Sequence, residues 1–274
     1  MTPEALVAAD SLRRLSVIMP ARNEEAAIGA CVRELSRILG QHNVPHEILV
    51  VDDGSTDATP QVVTALSRDT PGLRLISRSG PNGFGRAVVC GLERMEGDAA
   101  AIVMADDSDD PHDLVAYWRK LQEGWDCVFG SRFIRGSKVR GYPWLKGILN
   151  RSANLWISLL FGLRFNDTTN AFKAYRRSCL EGLRPYLSPH FNLTVELPLK
   201  AVVRGYRWTV VPVSWRNRRA GAAKFRMAEM GSRYLFIIFY CWLEKYFSRG
   251  DYRRTTPTAP VFGERSEDGT CRVT

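Results

Sequence analysis

Three short polar segments carry most of the side chains able to do chemistry: Pro20-Ala21-Arg22-Asn23-Glu24-Glu25, Asp52-Asp53-Gly54-Ser55-Thr56-Asp57 and Asp106-Asp107-Ser108-Asp109-Asp110-Pro111. A carboxylate placed just beyond a strand can accept hydrogen bonds from a base or a ribose hydroxyl. The third segment sets four carboxylates within five residues. They repel one another, a divalent cation would relieve the repulsion, and hard oxygen ligands suit Mg2+ or Mn2+. Capping of a following helix would account for one of them, Asp110, and not for four. The loop acids are expected to face solvent. A fourth segment, Asn82-Gly83-Phe84-Gly85-Arg86, has glycines that permit close backbone approach to a ligand and an arginine that could meet a phosphate; a plain tight turn is the equal alternative.

Each of these segments follows an apolar run. Leu15–Pro20, Glu47–Val51, Leu73–Ser77, Ala100–Met104 and Cys127–Gly130 read as strands. Helices are expected between them. One is capped by Asn23, with Ile28, Cys31, Val32, Leu35 and Ile38 at helical spacing; one capped by Asp57 runs over about 59–68; two more lie at about 84–95 and 112–123. Near-continuous apolar strands separated by helices predict an α/β fold, an open and mostly parallel sheet covered on both faces. In such a sheet ligands bind at the carboxyl ends of the strands near a switch point, so the three acidic and polar loops should line one crevice.

The chain of 274 residues carries a formal net charge of +9, which hides an asymmetry. Residues 1–131 hold 12 basic and 20 acidic side chains, residues 132–274 hold 26 basic and 9 acidic. The C-terminal part should face something anionic: a membrane surface, a phosphorylated substrate or nucleic acid. Residues 132–151 and 204–226 contain no acid at all. Between and beyond them, Leu145–Leu163 and Tyr234–Phe247 are apolar on one broad face but interrupted by Lys146, Arg151, Glu244 and Lys245. Neither supplies the ~20 uninterrupted apolar residues of a spanning helix. Both fit helices lying in a membrane interface, or helices covering the core. The stretch Met1–Arg14 lacks the apolar core of a signal peptide. Six scattered cysteines without a CxxC suit a reducing compartment. The residues after Arg249 are expected to be disordered. Nucleotide-binding signatures of the GxGxxG and GxxxxGK[ST] types are absent, which argues against a dinucleotide dehydrogenase.

Taken in order, VIMPARNEE, LVVDDGSTD and the acidic loop after AIVM resemble the GT-A glycosyltransferases of family 2, and within them the polyprenyl-phosphate (dolichol-phosphate) sugar synthases. Gly130-Ser131-Arg132, Asp167-Thr168-Thr169-Asn170-Ala171-Phe172-Lys173-Ala174-Tyr175 and Arg219-Ala220-Gly221-Ala222-Ala223-Lys224 agree, the last resembling an R-x-x-G-x-S-K element with Ala223 in place of serine. The resemblance covers about residues 14–226, implying one GT-A domain there, an amphipathic helix over 227–248 and a tail over 249–274. One departure concerns the acidic loop, where the family reads M-D-A-D-L and this chain reads Met104-Ala105-Asp106-Asp107-Ser108. The first aspartate falls on Ala105 and the second on Asp107, while Asp109 stands where a further metal ligand is usual. Asp107 and Asp109 are the expected metal pair, with Asp106 as the substitute.

The resemblance implies an inverting, metal-dependent transfer of a sugar, mannose from GDP-mannose being the expected case, to a polyprenyl or dolichyl phosphate. Pro20, Arg22, Glu24, Asp52, Asp53 and Asp106 would bind the donor. Asp107, Arg132, Arg219 and Lys224 would carry catalysis, and Arg140, Arg219 and Lys224 would hold the acceptor phosphate. A phosphate nucleophile is already anionic and needs little or no general base; arginines and lysines must instead position it. Glu196 is expected to hold an arginine. The protein is expected to be peripheral on the cytoplasmic face of a membrane, with no nucleic-acid partner. The rival readings are a family 2 enzyme using UDP-glucose or UDP-N-acetylglucosamine or a soluble acceptor, and a catalytically silent partner, favoured only by Ala105.

Overall fold

The computed structural model describes residues 12–142, 144–216 and 227–254. The chain alternates β1 (Leu15–Ala21), α1 (Ile28–Gln41), β2 (His46–Asp52), α2 (Thr59–Leu66), β3 (Leu73–Ser77), α3 (Phe84–Arg94), β4 (Ala99–Ile102), α4 (Pro111–Gln122) and β5 (Cys127–Ser131). Then follow β6 (Val139–Arg140), α5 (Trp144–Phe161), β7 (Lys173–Arg176), α6 (Arg177–Gly182), α7 (Leu193–Val203), β8 (Trp208–Pro212), β9 (Trp215–Arg216) and α8 (Met227–Phe247). The larger sheet has the order β3-β2-β1-β4-β7-β5-β8, and β6 and β9 form a separate ribbon. β7 runs antiparallel to both of its neighbours and the other pairings are parallel, so the expected α/β sheet is found.

All seven residues of β1 are buried because the strand is covered from both sides. Leu15, Val17 and Met19 pack under α1 and α4. Ile18, with Leu49 and Val51 of β2, packs under α3 and α7. This two-sided burial explains the unbroken apolar runs in the sequence. Asn23 does not cap α1 as expected. It sits at a φ of 55°, its amide oxygen accepts from the Thr56 N–H at 2.7 Å, and the helix begins five residues later at Ile28. Asp110 does cap α4, accepting from the His112 N–H at 3.0 Å.

A third, smaller core joins Ile157 and Phe161 of α5, Val195 and Leu199 of α7, and Ile237, Ile238 and Cys241 of α8. Of the two expected uses of the apolar segments, covering the core is the one that the inner faces realise. The inner faces of α5 and α8 cover the domain, while Trp144, Ile148, Leu155 and Leu159 on α5 and Phe236, Phe239 and Phe247 on α8 remain exposed. Among the described residues no helix is long and apolar enough to cross a membrane.

α8 is fastened by a buried ion pair. Arg204 donates through Nε to Glu244 Oε1 at 2.7 Å and through Nη2 to Oε2 at 3.0 Å, while its Nη1 reaches the Gly182 and Arg184 carbonyl oxygens. The first residues of the expected tail also fold back, with the Arg254 N–H on the Arg204 carbonyl oxygen and its guanidinium on Asp126 at 2.6 Å; residues 255–274 lie outside the described residues. Removing one partner of a buried pair leaves an uncompensated charge, at a cost of about 3–5 kcal/mol. Glu244→Ala should therefore lower the unfolding free energy by that amount, seen as a lower urea midpoint at unchanged slope, and a loss below about 1 kcal/mol would show that the pair does not anchor α8.

Candidate active site

The order β2-β1-β4 places the carboxyl ends of three parallel strands side by side, so the loops that follow them share one edge of the sheet. The first two loops are laced together. Asn23 N–H donates to Ser55 Oγ at 3.0 Å, Glu24 N–H to Thr59 Oγ1 at 2.9 Å, Glu25 N–H to Asp57 Oδ2 at 3.1 Å, and the Ala58 N–H returns to Glu25 Oε2 at 2.8 Å. Pro20 is buried within β1 and offers no polar side-chain group to a ligand. Asp52 is buried and accepts from the Ser55 N–H at 3.2 Å, which turns its own loop.

Asp53 fixes the loop after β3. Its Oδ1 accepts from Arg78 Nε at 2.8 Å and Nη2 at 2.6 Å, and its Oδ2 accepts from the Gly83 N–H at 2.7 Å. With its amide nitrogen on the Asp53 carbonyl oxygen at 3.2 Å, Asn82 turns its amide oxygen to the exposed Arg22 guanidinium at 2.8 Å. The glycines of this segment do permit a close approach, but to the chain itself. A Cβ at Gly83 would collide with the Pro189 carbonyl oxygen, and one at Gly85 with that of Ser188. Arg86 is held in the same contact, its N–H on Pro189 O and its Nη1 on Asn82 O, both at 3.1 Å. The expected ligand cradle is thus a docking turn between α3 and the 188–190 segment.

The acidic loop differs from the solvent-facing cluster expected. Asp106 is 5% exposed and Asp109 is 9% exposed. Asp109 Oδ2 accepts from the Met104 N–H at 3.1 Å, and Asp106 Oδ1 from the Ser108 N–H at 3.2 Å. Burial pushes the Asp109 carboxyl up to about 7, and the neighbouring Asp106 adds to the rise against the opposing Met104 N–H. Asp107 adopts a φ of 60°, a left-handed conformation uncommon for a residue other than glycine. Its Oδ1 accepts from Arg216 Nη2 at 2.5 Å, while its carbonyl oxygen accepts from Arg216 Nε at 2.8 Å. Ala105, where the family places an acid, is buried, and its carbonyl oxygen accepts from the Cys31 thiol at 3.4 Å.

Among the described residues no three acidic, histidine or cysteine side chains converge on a point where they could hold a metal alone. A hard cation needs about six oxygens, so a cation on Asp107 and Asp109 would take the remainder from a phosphorylated ligand and water. The oxygen donors, the mutual repulsion of Asp106 and Asp109 and the strained Asp107 fit such an ion.

Arg132 was expected to position a phosphate. The structure commits it to the buried Asp167, through Nε to Oδ2 at 2.8 Å, Nη2 to Oδ1 at 2.7 Å and its own N–H to Oδ2 at 2.9 Å. Its guanidinium lies 5.5 Å from the ring centres of Phe133 and Tyr142. Lys173 is also buried, donating to the carbonyl oxygens of Thr168, Asn170 and Thr194. The charges of the Asp167–Tyr175 stretch are thus met by Arg132 and by carbonyl oxygens of Thr168, Asn170 and Thr194. Glu196 pairs with Lys200 one turn along α7, not with an arginine. Arg140 is exposed on β6. Arg219 and Lys224 lie outside the described residues, and counting back three from Gly221 the R-x-x-G spacing falls on Arg218, not Arg219. Arg216, which with Trp215 carries β9 to the acidic loop, was not singled out by sequence; only its place in an acid-free basic stretch hinted at it.

Residues 16–184 match the family model described as glycosyl transferase family 2. The chain belongs to glycosyltransferase family 2. It is 30% identical over 240 residues to a polyprenol monophosphomannose synthase of Mycolicibacterium smegmatis, covering 81% of this chain and 88% of the relative. It is also 30% identical over 214 residues to a dolichyl-phosphate hexose transferase of Haloferax volcanii, covering 77% and 86%. The fold is shared with glucosyl-3-phosphoglycerate synthase from Mycobacterium tuberculosis, solved with Mn2+, UDP-glucose and phosphoglyceric acid, at a TM-score of 0.66 and 21% identity over 88% of this chain and 84% of that one. The same enzyme solved with Mg2+ and UDP gives a TM-score of 0.62 at 21% identity, covering 89% and 83%.

The Asp53–Gly83 bond and the packing of Gly83 on Pro189 together hold the loop after β3 between the loop after β2 and the 188–190 segment. Gly83→Ala should cost about 1–3 kcal/mol through overpacking and should weaken nucleotide binding by releasing Asp53. Urea unfolding and nucleotide titration check this; a variant with unchanged stability would show that the turn has room to spare.

Proposed function

We propose that this chain is an inverting, metal-dependent transferase that moves mannose from GDP-mannose to a polyprenyl phosphate at a membrane surface. The observation that supports this most is the match along four fifths of the chain to a polyprenol monophosphomannose synthase. The exposed apolar faces of α5 and α8, which pack on each other through their inner faces, agree with a lipid-linked acceptor. On this reading Asp107 and Asp109 hold Mg2+ or Mn2+, with Asp106 beside them. The bound ion would serve as a Lewis acid that neutralises the diphosphate leaving group.

On the same reading Asp52 and Asp53 take the base and ribose of the donor, and Arg22 and Glu24 contribute from the neighbouring loop after β1. The acceptor phosphate oxygen attacks the anomeric carbon from the face opposite the diphosphate. The new C–O bond forms as the old one breaks, its electron pair leaves with the nucleoside diphosphate, and the anomeric configuration inverts. An oxocarbenium-like transition state is expected, as in glycoside hydrolysis. The nucleophile is already an anion, so no side chain has to take a proton. Arg140 supplies positive charge that positions it, together with Arg218 and Lys224, which lie outside the described residues and stand at the arginine and lysine of the R-x-x-G-x-S-K spacing. Arg132 acts through Asp167, holding the end of β5 in place.

Purified protein given polyprenyl phosphate, Mn2+ and a panel of GDP-mannose, UDP-glucose and UDP-N-acetylglucosamine should form lipid-linked mannose. Asp107→Ala should lower turnover at least tenfold, and EDTA should do the same, because the lost metal contact stabilised the leaving group. Transfer with another donor alone would replace mannose by that sugar. No transfer from any donor would favour a catalytically silent chain.

The same reading makes the protein peripheral on the cytoplasmic face of a membrane, with the apolar faces of α5 and α8 in the interface beside basic residues. Replacing Leu159 and Phe239 by aspartate should reduce sedimentation with anionic vesicles severalfold while leaving the thermal transition unchanged, since both side chains are more than half exposed. Full retention of vesicle binding by the double variant would exclude these faces as the contact.

A further inference from the structure

Arg216 makes three contacts with the acidic loop: Nη2 on Asp107 Oδ1, Nε on Asp107 O, and its own N–H on Ser108 O at 3.1 Å. The guanidinium thus neutralises the carboxylate expected to hold the divalent ion, and does so from the segment that leads into the basic residues 217–226. The contact is not deeply buried, the two side chains being 45% and 22% exposed, so it can be exchanged at little cost. In the β6-β9 ribbon Arg216 is the register partner of Arg140. Two like charges directly opposite each other on a ribbon are unfavourable unless an anion lies between or beside them. Trp215, the preceding residue, is fixed by its N–H on Lys138 O at 2.9 Å and by edge contact with Tyr142 at 5.0 Å between ring centres.

We propose that Arg216 is a positioning residue of two states. It occupies Asp107 while the acidic loop holds no cation, and it passes to a phosphate group beside Arg140 once a divalent ion takes its place. This rests on the transferase reading above, and it adds a coupling: entry of the cation releases a guanidinium for the phosphorylated ligand. The phosphate belongs either to the donor diphosphate or to the acceptor, since both carry the chemistry that two arginines recognise.

The variant Arg216→Gln tests this in two titrations, with thermal melting to confirm that it folds. Mn2+ alone is titrated while the free-ion EPR signal is followed. With its competitor gone, the variant should bind Mn2+ about threefold more tightly or better; equal or weaker binding than wild type overturns the proposal. At saturating Mn2+, GDP and a short polyprenyl phosphate are then titrated separately. The variant should bind one of them about fivefold or more weakly, and which one identifies the source of the phosphate; unchanged affinity for both overturns the proposal. Arg216→Lys, which keeps the charge but cannot span Asp107 Oδ1 and O together, should fall between the two. If wild type binds neither Mn2+ with GDP nor the lipid phosphate, the transferase reading fails as well, whereas normal wild-type binding with an indifferent Arg216→Gln removes only the coupling.

Discussion

Asp106, Asp107 and Asp109 stand within four residues at the carboxyl end of β4, two of them largely withdrawn from water. Like charges so placed cannot persist unless each finds a donor, and the loop supplies one for each. Ser108 N–H serves Asp106, Met104 N–H serves Asp109, and Arg216 serves Asp107. Two of these donors are backbone groups of the loop itself and set its shape, including the left-handed turn at Asp107. The third comes from β9, more than a hundred residues away, and is the one that a cation could replace. The loop is therefore shaped by local hydrogen bonds, while one of its carboxylates, Asp107, is offset by a distant charge.

Everything around this loop serves to bring it to the right edge. β1 lies between β2 and β4, so three chain reversals deliver their polar loops to one side of the sheet. The first two loops hold each other through side-chain to backbone bonds, and Asp53 ties the second to the turn after β3. On the other flank, β7 enters antiparallel between β4 and β5, and its buried Lys173 gathers three carbonyl oxygens from surrounding turns. Asp167 and Arg132 close that flank with a two-point pair. α5 and α8 then add a layer whose inner face completes a small core and whose outer face stays apolar.

The doubly covered half of the fold was legible because burial on both faces leaves a strong mark: unbroken apolar strands, helical spacing between them, and polar loops at each carboxyl end. The strands from β6 onward were harder to see. β7 is only four residues long with charged ends, Lys173 and Arg176, whose burial is offset by carbonyl partners no local pattern reveals. β8, with Thr209-Val210-Val211, carried a readable β-branched signal that was obscured by the surrounding basic residues. At the site, residue types were legible and partners were not. The aspartates were found, but not that Asp109 is buried, that Arg132 is taken by Asp167, that Glu196 faces Lys200, or that Asp107 meets Arg216. Each of these pairings depends on elements distant in sequence or on which face of a helix is covered. Gly83 and Gly85 show the same limit: the need for a close approach was readable, but its object was not.

The account turns on the claim that the acidic loop holds a divalent ion together with a nucleoside diphosphate. Diffraction from crystals soaked with Mn2+ and GDP, recorded at the manganese absorption edge, tests it directly. The account predicts an anomalous peak within coordination distance of the Asp107 carboxylate and of the diphosphate oxygens, with the Arg216 side chain moved off Asp107. Bound nucleotide with no peak at the loop, or a peak on other residues with the Arg216–Asp107 pair intact, would contradict it.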